Sequence, residues 1–247
     1  MVELLVVLLG LCLGSFANVC IYRLPRHESV VTPRSHCIAC GQPLAAYDLI
    51  PVVSYLVLRG RCRRCGARIP LRYPVVELLT GLLFLAAYRL LGLTWDLAVA
   101  WLTIVVAVIA FATDVEHRII PNALTFPAMA AGILLSLPAG RFVSAVLGAL
   151  VCGGAFMIIG ILGAGKMGGG DVKLAAAIGA ILGLEAGVTA LLIGVIAGAL
   201  IGLTLIALGR ATLKSYIPFA PPLTAAAVGV ALFWPALAPA IRVWLGW

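Results

Sequence analysis

Eight stretches of almost uninterrupted apolar residues dominate this chain and leave it little choice of solvent. They run approximately over residues 2–21, 74–92, 95–113, 121–138, 142–163, 172–184, 187–209 and 221–245. A backbone in hydrocarbon must satisfy its own N–H and C=O groups, so apolar runs of about 20 residues read as transmembrane helices. Of the 247 residues, 64% are apolar and 11% charged. A soluble domain has about 45–50% and 25%. This excludes a soluble globule, a disordered chain and a disulfide-stapled secreted domain. The expected fold is an all-α polytopic membrane protein of about eight helices, with a small polar domain after the first. Val2 to Tyr22 lacks the basic flank and small-residue cleavage site of a signal peptide, so it reads as a retained span. The sixth run is short. Gly183-Leu184-Glu185-Ala186-Gly187 reads as a tight turn after it. The alternative is a single helix over 172–209, which overshoots the bilayer and gives seven spans.

Charge placement supports eight. Nine arginines lie between Arg23 and Arg72, against Glu28 and Asp48. If that loop is cytoplasmic and the spans alternate, 14 Lys and Arg side chains face inside and only Arg89, Arg141 and Arg242 face outside. Seven spans would put Arg210 and Lys214 outside and weaken the split. Cytoplasmic loops carry such an excess. The same rule explains the basic loop as a segment facing anionic lipid, so nucleic acid is not expected as a partner. The division is then a first transmembrane helix at 1–21, a cytoplasmic domain at 22–73 and a transmembrane domain at 74–247.

A polar domain of about 50 residues buries too little core to stand alone. Its staple is visible as Cys37-Ile38-Ala39-Cys40-Gly41 and Cys62-Arg63-Arg64-Cys65-Gly66, with 21 residues between the pairs. Two CxxC pairs so spaced are a zinc signature. Four thiolates leave no open coordination position, so Cys37, Cys40, Cys62 and Cys65 are expected to hold a structural Zn²⁺. Two disulfides or a redox pair are the rival readings, and a cytoplasmic location disfavours the disulfides. His36 is superfluous beside four thiolates. Cys12, Cys20 and Cys152 lie in apolar runs and read as buried packing residues.

Two acids stand out among the nine of the whole chain. Asp114 ends the third run, and Asp171 follows Gly168-Gly169-Gly170 to open the sixth. Alone, Asp114 could pair with Arg118 at i+4, and Asp171 could be an N-cap. The topology instead puts both on one membrane face at similar depth. Acids within a bilayer are functional candidates by default. Two that converge on one water and share one proton form the acid/base pair of an aspartic protease. Gly168 and Gly170 would let a substrate backbone approach. The patterns GxGxxG at 163–168 and GxxxxGK at 160–166 follow no strand. Met167 also replaces the Ser/Thr of a phosphate-binding loop, so nucleotide binding is discounted.

Taken together, these residues resemble the bacterial type IV prepilin peptidases, membrane aspartic proteases with a GxGD motif. The resemblance runs almost end to end. It covers Gly14-Ser15-Phe16-Ala17-Asn18-Val19 with Tyr22-Arg23-Leu24-Pro25, the twin CxxC insert, and Gly60-Arg61-Cys62. It continues through Arg72-Tyr73-Pro74 with Glu77, and Asp114 with Ile120-Pro121-Asn122. GxGD at 168–171 with Lys173, and Ile217-Pro218-Phe219-Ala220-Pro221, complete it. Ile38 and Ala220 stand where the family often has Pro and Gly, positions expected to lie outside the chemistry. Many members carry a second acid where this chain has Glu116; the resemblance assigns catalysis to Asp114 with Asp171.

The resemblance implies cleavage of the basic leader of type IV prepilins and type II secretion pseudopilins at the cytoplasmic face of the bacterial inner membrane. For members with the twin CxxC domain it also implies N-methylation of the new N-terminus with S-adenosylmethionine. Peptidase activity alone is the alternative. Two other classes make distinct demands. An ion-coupled transporter would place the acids near the bilayer midplane, and a zinc-bearing scaffold would tolerate loss of both aspartates.

Overall fold

The computed structural model describes residues 1–162, 168–210, 212 and 218–245; the side chains of Arg242, Trp244 and Leu245 are outside that description. Residues 163–167, which carry most of the two phosphate-loop-like patterns, lie outside it, as does Ile217. The described residues form nine α-helices and two 3₁₀ turns. They contain no strand, only isolated antiparallel bridges at His36–Pro43 and Arg61–Arg68. Two compact units result, Met1–Arg89 and Leu90–Trp247.

The first unit holds α1 (Val2–Arg23), the turns Leu24–Arg26 and Ala46–Leu49, α2 (Val53–Val57) and α3 (Arg72–Leu91). Small residues let α1 and α3 approach closely. A side chain at Gly10 would stand 2.8 Å from the Gly81 Cα, and one at Gly14 would stand 2.7 Å from the Glu77 Cα. Such contacts replace hydrophobic driving force where the surrounding solvent is itself apolar. Arg89 grips Glu3 with two hydrogen bonds of 3.0 and 3.1 Å at the end of the pair remote from the polar segment. Cys20 is buried as expected, but Cys12 is exposed on α1. An apolar run does not say which helix face a neighbour covers.

The second unit holds α4 (Trp95–His117), α5 (Asn122–Ser136), α6 (Phe142–Leu162), α7 (Gly169–Leu182), α8 (Leu184–Ala207) and α9 (Ala220–Leu245). α7 is its centre and packs against all five of the others. Glycines make room for it. A Cβ at Gly132 of α5 would lie 2.8 Å from the Ile181 Cα, and one at Gly187 of α8 would lie 2.9 Å from the Gly179 Cα. Gly148 of α6 meets the backbone of Gly179 directly.

All eight expected apolar runs are helices. Six are long and apolar enough to cross a membrane by length and composition, taking α1 with its following turn. The two short ones are α5, with 15 residues, and α7, with 14. At about 1.5 Å per residue they span roughly 21–23 Å against a hydrocarbon core of about 30 Å. α7 is shielded by longer neighbours, with most of its residues buried, whereas α5 keeps an exposed face that includes Phe126 and Leu134. The break between α7 and α8 is tighter than the five-residue turn expected. Gly183 alone separates them, with φ +84°. The single 38-residue helix is thereby excluded, because an L-residue side chain is strained at that φ and the chain uses glycine to reverse there.

Candidate active site and metal centre

Asp114 sits in the last turn of α4, and the chain leaves that helix through Arg118. Arg118 adopts left-handed φ 55° and returns its N–H to the Asp114 carbonyl at 2.8 Å. The Asp114 side chain is 2% exposed, a carboxylate almost wholly withdrawn from solvent. Buried charge needs partners, and the partners here are backbone. The Ala220 N–H donates to Asp114 Oδ2 at 2.9 Å, and the Phe219 N–H donates as well. Both amides belong to the start of α9. Pro221 and Pro222 follow at positions where a missing N–H loses no helical bond. Phe219 is held by its ring, 6.0 Å from that of Phe156.

Asp171 is the third residue of α7; Gly168 takes the N-cap position, so the cap reading of Asp171 is set aside. The Asp171 N–H donates to the Gly168 carbonyl at 3.0 Å, which curls the glycine loop under the carboxylate. Asp171 is buried, and its carboxylate lies within electrostatic reach of Asp114. A Cβ on Gly168 would stand 3.3 Å from Asp171 Oδ2 and crowd it. Gly170 serves packing, since a Cβ there would meet the Ile120 Cβ at 3.0 Å. Lys173 Nζ, one turn into α7, donates to Asn122 Oδ1 at 2.8 Å. Ile120 and Asn122 therefore dock the GxGD loop onto the start of α5, a role the sequence signature alone did not assign them.

The end of α4 and the starts of α5, α7 and α9 thus meet at one end of the unit. Both acids occupy terminal helical turns, away from the helix middles that a midplane ion relay requires. Glu116 is exposed and faces His117, Oε2 to Nε2 3.9 Å. One expectation is overturned. Ala220 touches the candidate chemistry through its N–H, and because only the backbone is used, Ala and Gly serve equally.

In the first unit, the ligand atoms of Cys37, Cys40, Cys62 and Cys65 all lie within 4.8 Å of one another, with Cys37 Sγ and Cys65 Sγ 3.8 Å apart. Tetrahedral Zn–S bonds of about 2.3 Å place sulfurs about 3.8 Å apart. Each pair sits in the same knuckle. The Cys37 N–H meets the Gln42 carbonyl at 2.9 Å, and the Cys62 N–H meets that of Ala67 at 2.8 Å. Gly41 and Gly66 turn with φ of +70° and +71°. Backbone N–H groups of Cys65 and Arg64 hold the Cys62 thiol down to about 6, whereas the Cys65 thiol, despite the Ala67 N–H, is pushed up to about 11 by burial and the neighbouring thiols, so metal binding must displace protons from the cluster. The donor set fits a zinc ion, and His36 stays outside the cluster. Arg63 joins this knuckle to Asp48 with bonds of 3.0 and 2.8 Å.

Residues 8–91 match the bacterial peptidase A24 N-terminal domain, and residues 97–203 match the type IV leader peptidase family. A prepilin leader peptidase/N-methyltransferase of Myxococcus xanthus is 41% identical over 250 residues, covering 96% of this chain and 72% of its own. The chain belongs to the type IV leader peptidase family. Two further relatives carry the same name. That of Bacillus subtilis is 36% identical over 89% of both chains, and that of Aeromonas hydrophila is 40% identical over 93% of this chain and 90% of its own. No solved structure matches. Within this leader peptidase, the first family match holds the four cysteines and the second holds both aspartates.

Proposed function

We propose that this leader peptidase cleaves the basic leader from type IV prepilins or type II secretion pseudopilins, with Asp114 and Asp171 as the catalytic pair. The observation that carries this reading is the meeting of two buried carboxylates, from separate helices, at one end of the bundle. An N–H only donates, so the Asp114 oxygen facing Ala220 is an unprotonated acceptor. One proton is then shared between the remaining Asp114 oxygen and Asp171. The unprotonated acid takes a proton from water as its oxygen bonds to the scissile carbonyl carbon, and the other acid protonates the carbonyl oxygen. Collapse of the tetrahedral intermediate breaks the C–N bond as the amine receives a proton. Gly168 leaves space beside Asp171 for an extended substrate backbone.

The same reading makes the chain an inner-membrane protein with its N-terminus outside, and with residues 22–73 and both aspartates facing the cytoplasm, supported by the arginine distribution. The division into 1–21, 22–73 and 74–247 follows that topology. Cys37, Cys40, Cys62 and Cys65 hold a structural zinc ion. The relatives' shared name supports a second activity, N-methylation of the freed N-terminus. S-adenosylmethionine would supply the methyl group from its sulfonium, and the chain's part is to hold the amine in line.

Purified enzyme incubated with a prepilin and read by mass spectrometry tests the peptidase. Asp114→Asn and Asp171→Asn should each lower cleavage by about 10²–10⁴-fold, non-additively, while insertion is preserved. Glu116→Gln should remain within about twofold, because an exposed acid outside the pair makes no such contribution. Full cleavage by either inserted Asn variant would refute the assignment.

A further inference from the structure

We propose that a cleft in the first unit is a recognition site for a primary ammonium group, held by the Glu77 carboxylate and Asn18 Oδ1. The cleft has a volume of about 600 Å³, and Ser15, Asn18, Arg23, Val52, Tyr73 and Glu77 are among its lining residues. That volume is in the ordinary range for small-molecule sites, roughly 300–1,000 Å³.

Asn18 is 1% exposed, and its orientation is set by its neighbours. Its amide Nδ2 donates to two carbonyls, that of Tyr73 at 3.0 Å and that of Gly14 at 3.4 Å. Two acceptors on that side force the oxygen to the other. Oδ1 is buried there with no hydrogen-bond partner. A buried acceptor left unmatched is destabilising by about 1–3 kcal/mol, and native chains rarely leave one without a reason.

Glu77 lies on α3 opposite Gly14, one turn of α1 from Asn18, and is 8% exposed. Its partners are neutral, the Val52 N–H at 2.8 Å and the Ser15 hydroxyl. Together these leave part of the carboxylate's capacity of about four lone-pair sites free for a cation. The Val52 contact is built at some expense of strain. Val52 has φ 62° and ψ −48°, and the Val53 N–H folds back to the Pro51 carbonyl at 2.6 Å. This is the rare positive-φ γ-turn, on a β-branched residue that avoids that region. Strain of this kind persists where surrounding structure holds it, and it clusters at ligand clamps. Here it aims an N–H at Glu77 and fixes the carboxylate.

Arg23, Arg63, Arg64 and Arg68 also line the cleft, but Arg23 is taken up by the Ser29 and Pro33 carbonyls and Arg63 by Asp48, so what Glu77 and Asn18 Oδ1 add is acceptor capacity. An ammonium group presents three donors and one positive charge, and so matches both. The identity of the ammonium rests on the methyl-transfer reading, in which two species carry one: the freed N-terminus of the cleaved pilin and the amino-acid end of S-adenosylmethionine.

The test uses full-length, zinc-loaded protein in detergent micelles and measures binding by equilibrium dialysis. One arm compares a mature pilin peptide beginning with Phe to the same peptide beginning with 3-phenylpropionyl, which lacks only the amine. The other compares labelled S-adenosylmethionine to its α-deaminated analogue. In one arm the amine should improve binding by about tenfold or more. Glu77→Gln should remove most of that preference, with zinc content and thermal midpoint reporting that the variant is folded. The arm that responds names the source. Should Glu77→Gln fail to fold, the wild-type comparison decides. No preference for the amine in either arm overturns the site, as does an undiminished preference in folded Glu77→Gln protein. Wild-type protein that shows the preference but transfers no labelled methyl group refutes the methyl-transfer reading and leaves the ammonium site standing.

Discussion

Replacing Gly132 with alanine tests whether catalysis depends on how α5 lies against α7. The new Cβ would sit 2.8 Å from the Ile181 Cα and 2.9 Å from its nitrogen, where ordinary contact is 3.4–4 Å. The Ile181 Cγ1 also lies at 2.8 Å, but the Cα and nitrogen are backbone, so no rotamer change relieves the clash, and the helices must part by about 0.6–1.2 Å. Asn122 and Ile120 lie about 15 Å along the same helix or just before it, and they dock the loop that carries Asp171. The loss of stability should be about 1–3 kcal/mol, the usual range for overpacking. A misplacement near 1 Å can lower a rate by about 10²-fold, so kcat should fall about 10–100-fold with KM nearly unchanged. Thermal unfolding in detergent and a cleavage time course measure the two effects. Gly154→Ala is the control, because a Cβ there meets nothing within 4 Å. Wild-type kcat in Gly132→Ala, or equal damage in Gly154→Ala, would refute the idea that this crossing sets the acids' geometry.

The remaining expectations concern the staple, the loop dock and the helix break. Metal analysis should find about one zinc per chain, and a chelator strong enough to remove it should open residues 22–73 to proteolysis. Cys37→Ser should lose the metal, whereas Cys12→Ser should keep it. Lys173→Met breaks the 2.8 Å bond to Asn122 and should lower stability by about 0.5–1.5 kcal/mol, with little added by a second change at Asn122. Gly183→Ala puts a side chain at φ +84° and 2.7 Å from Ser144 Oγ, so the thermal midpoint should fall by several degrees.

Much of the scaffold is legible in the chain because hydrocarbon is a strict solvent. Each apolar run became a helix, and the four cysteines gathered as their spacing demands. Hydropathy marked the run of α7 as short but did not reveal that α5, read as 121–138, would stop at Ser136. Nor did it show which face of α1 exposes Cys12. In the site, Asp114 and Asp171 announce themselves as acids among apolar residues. Their backbone partners do not, because an N–H has no side-chain signature; only the proline-rich start of α9 hinted at Ala220. Asn18 and Glu77 lie far apart in the sequence, and the close approach at Gly14 that brings them to one cleft depends on tertiary packing.

The grip of Ala220 on Asp114 joins residues 106 positions apart. As the ribosome delivers the chain, Asp114 enters the membrane long before the amides that hold it have been made. A nascent enzyme that has inserted α4 through α8 therefore carries both acids without the backbone donors that fix one of them. On the proposed catalytic role of Asp114, cleavage should await arrival of the last helix. A chain halted before residue 219 should insert and remain inert, and co-expression of α9 as a separate segment should awaken it.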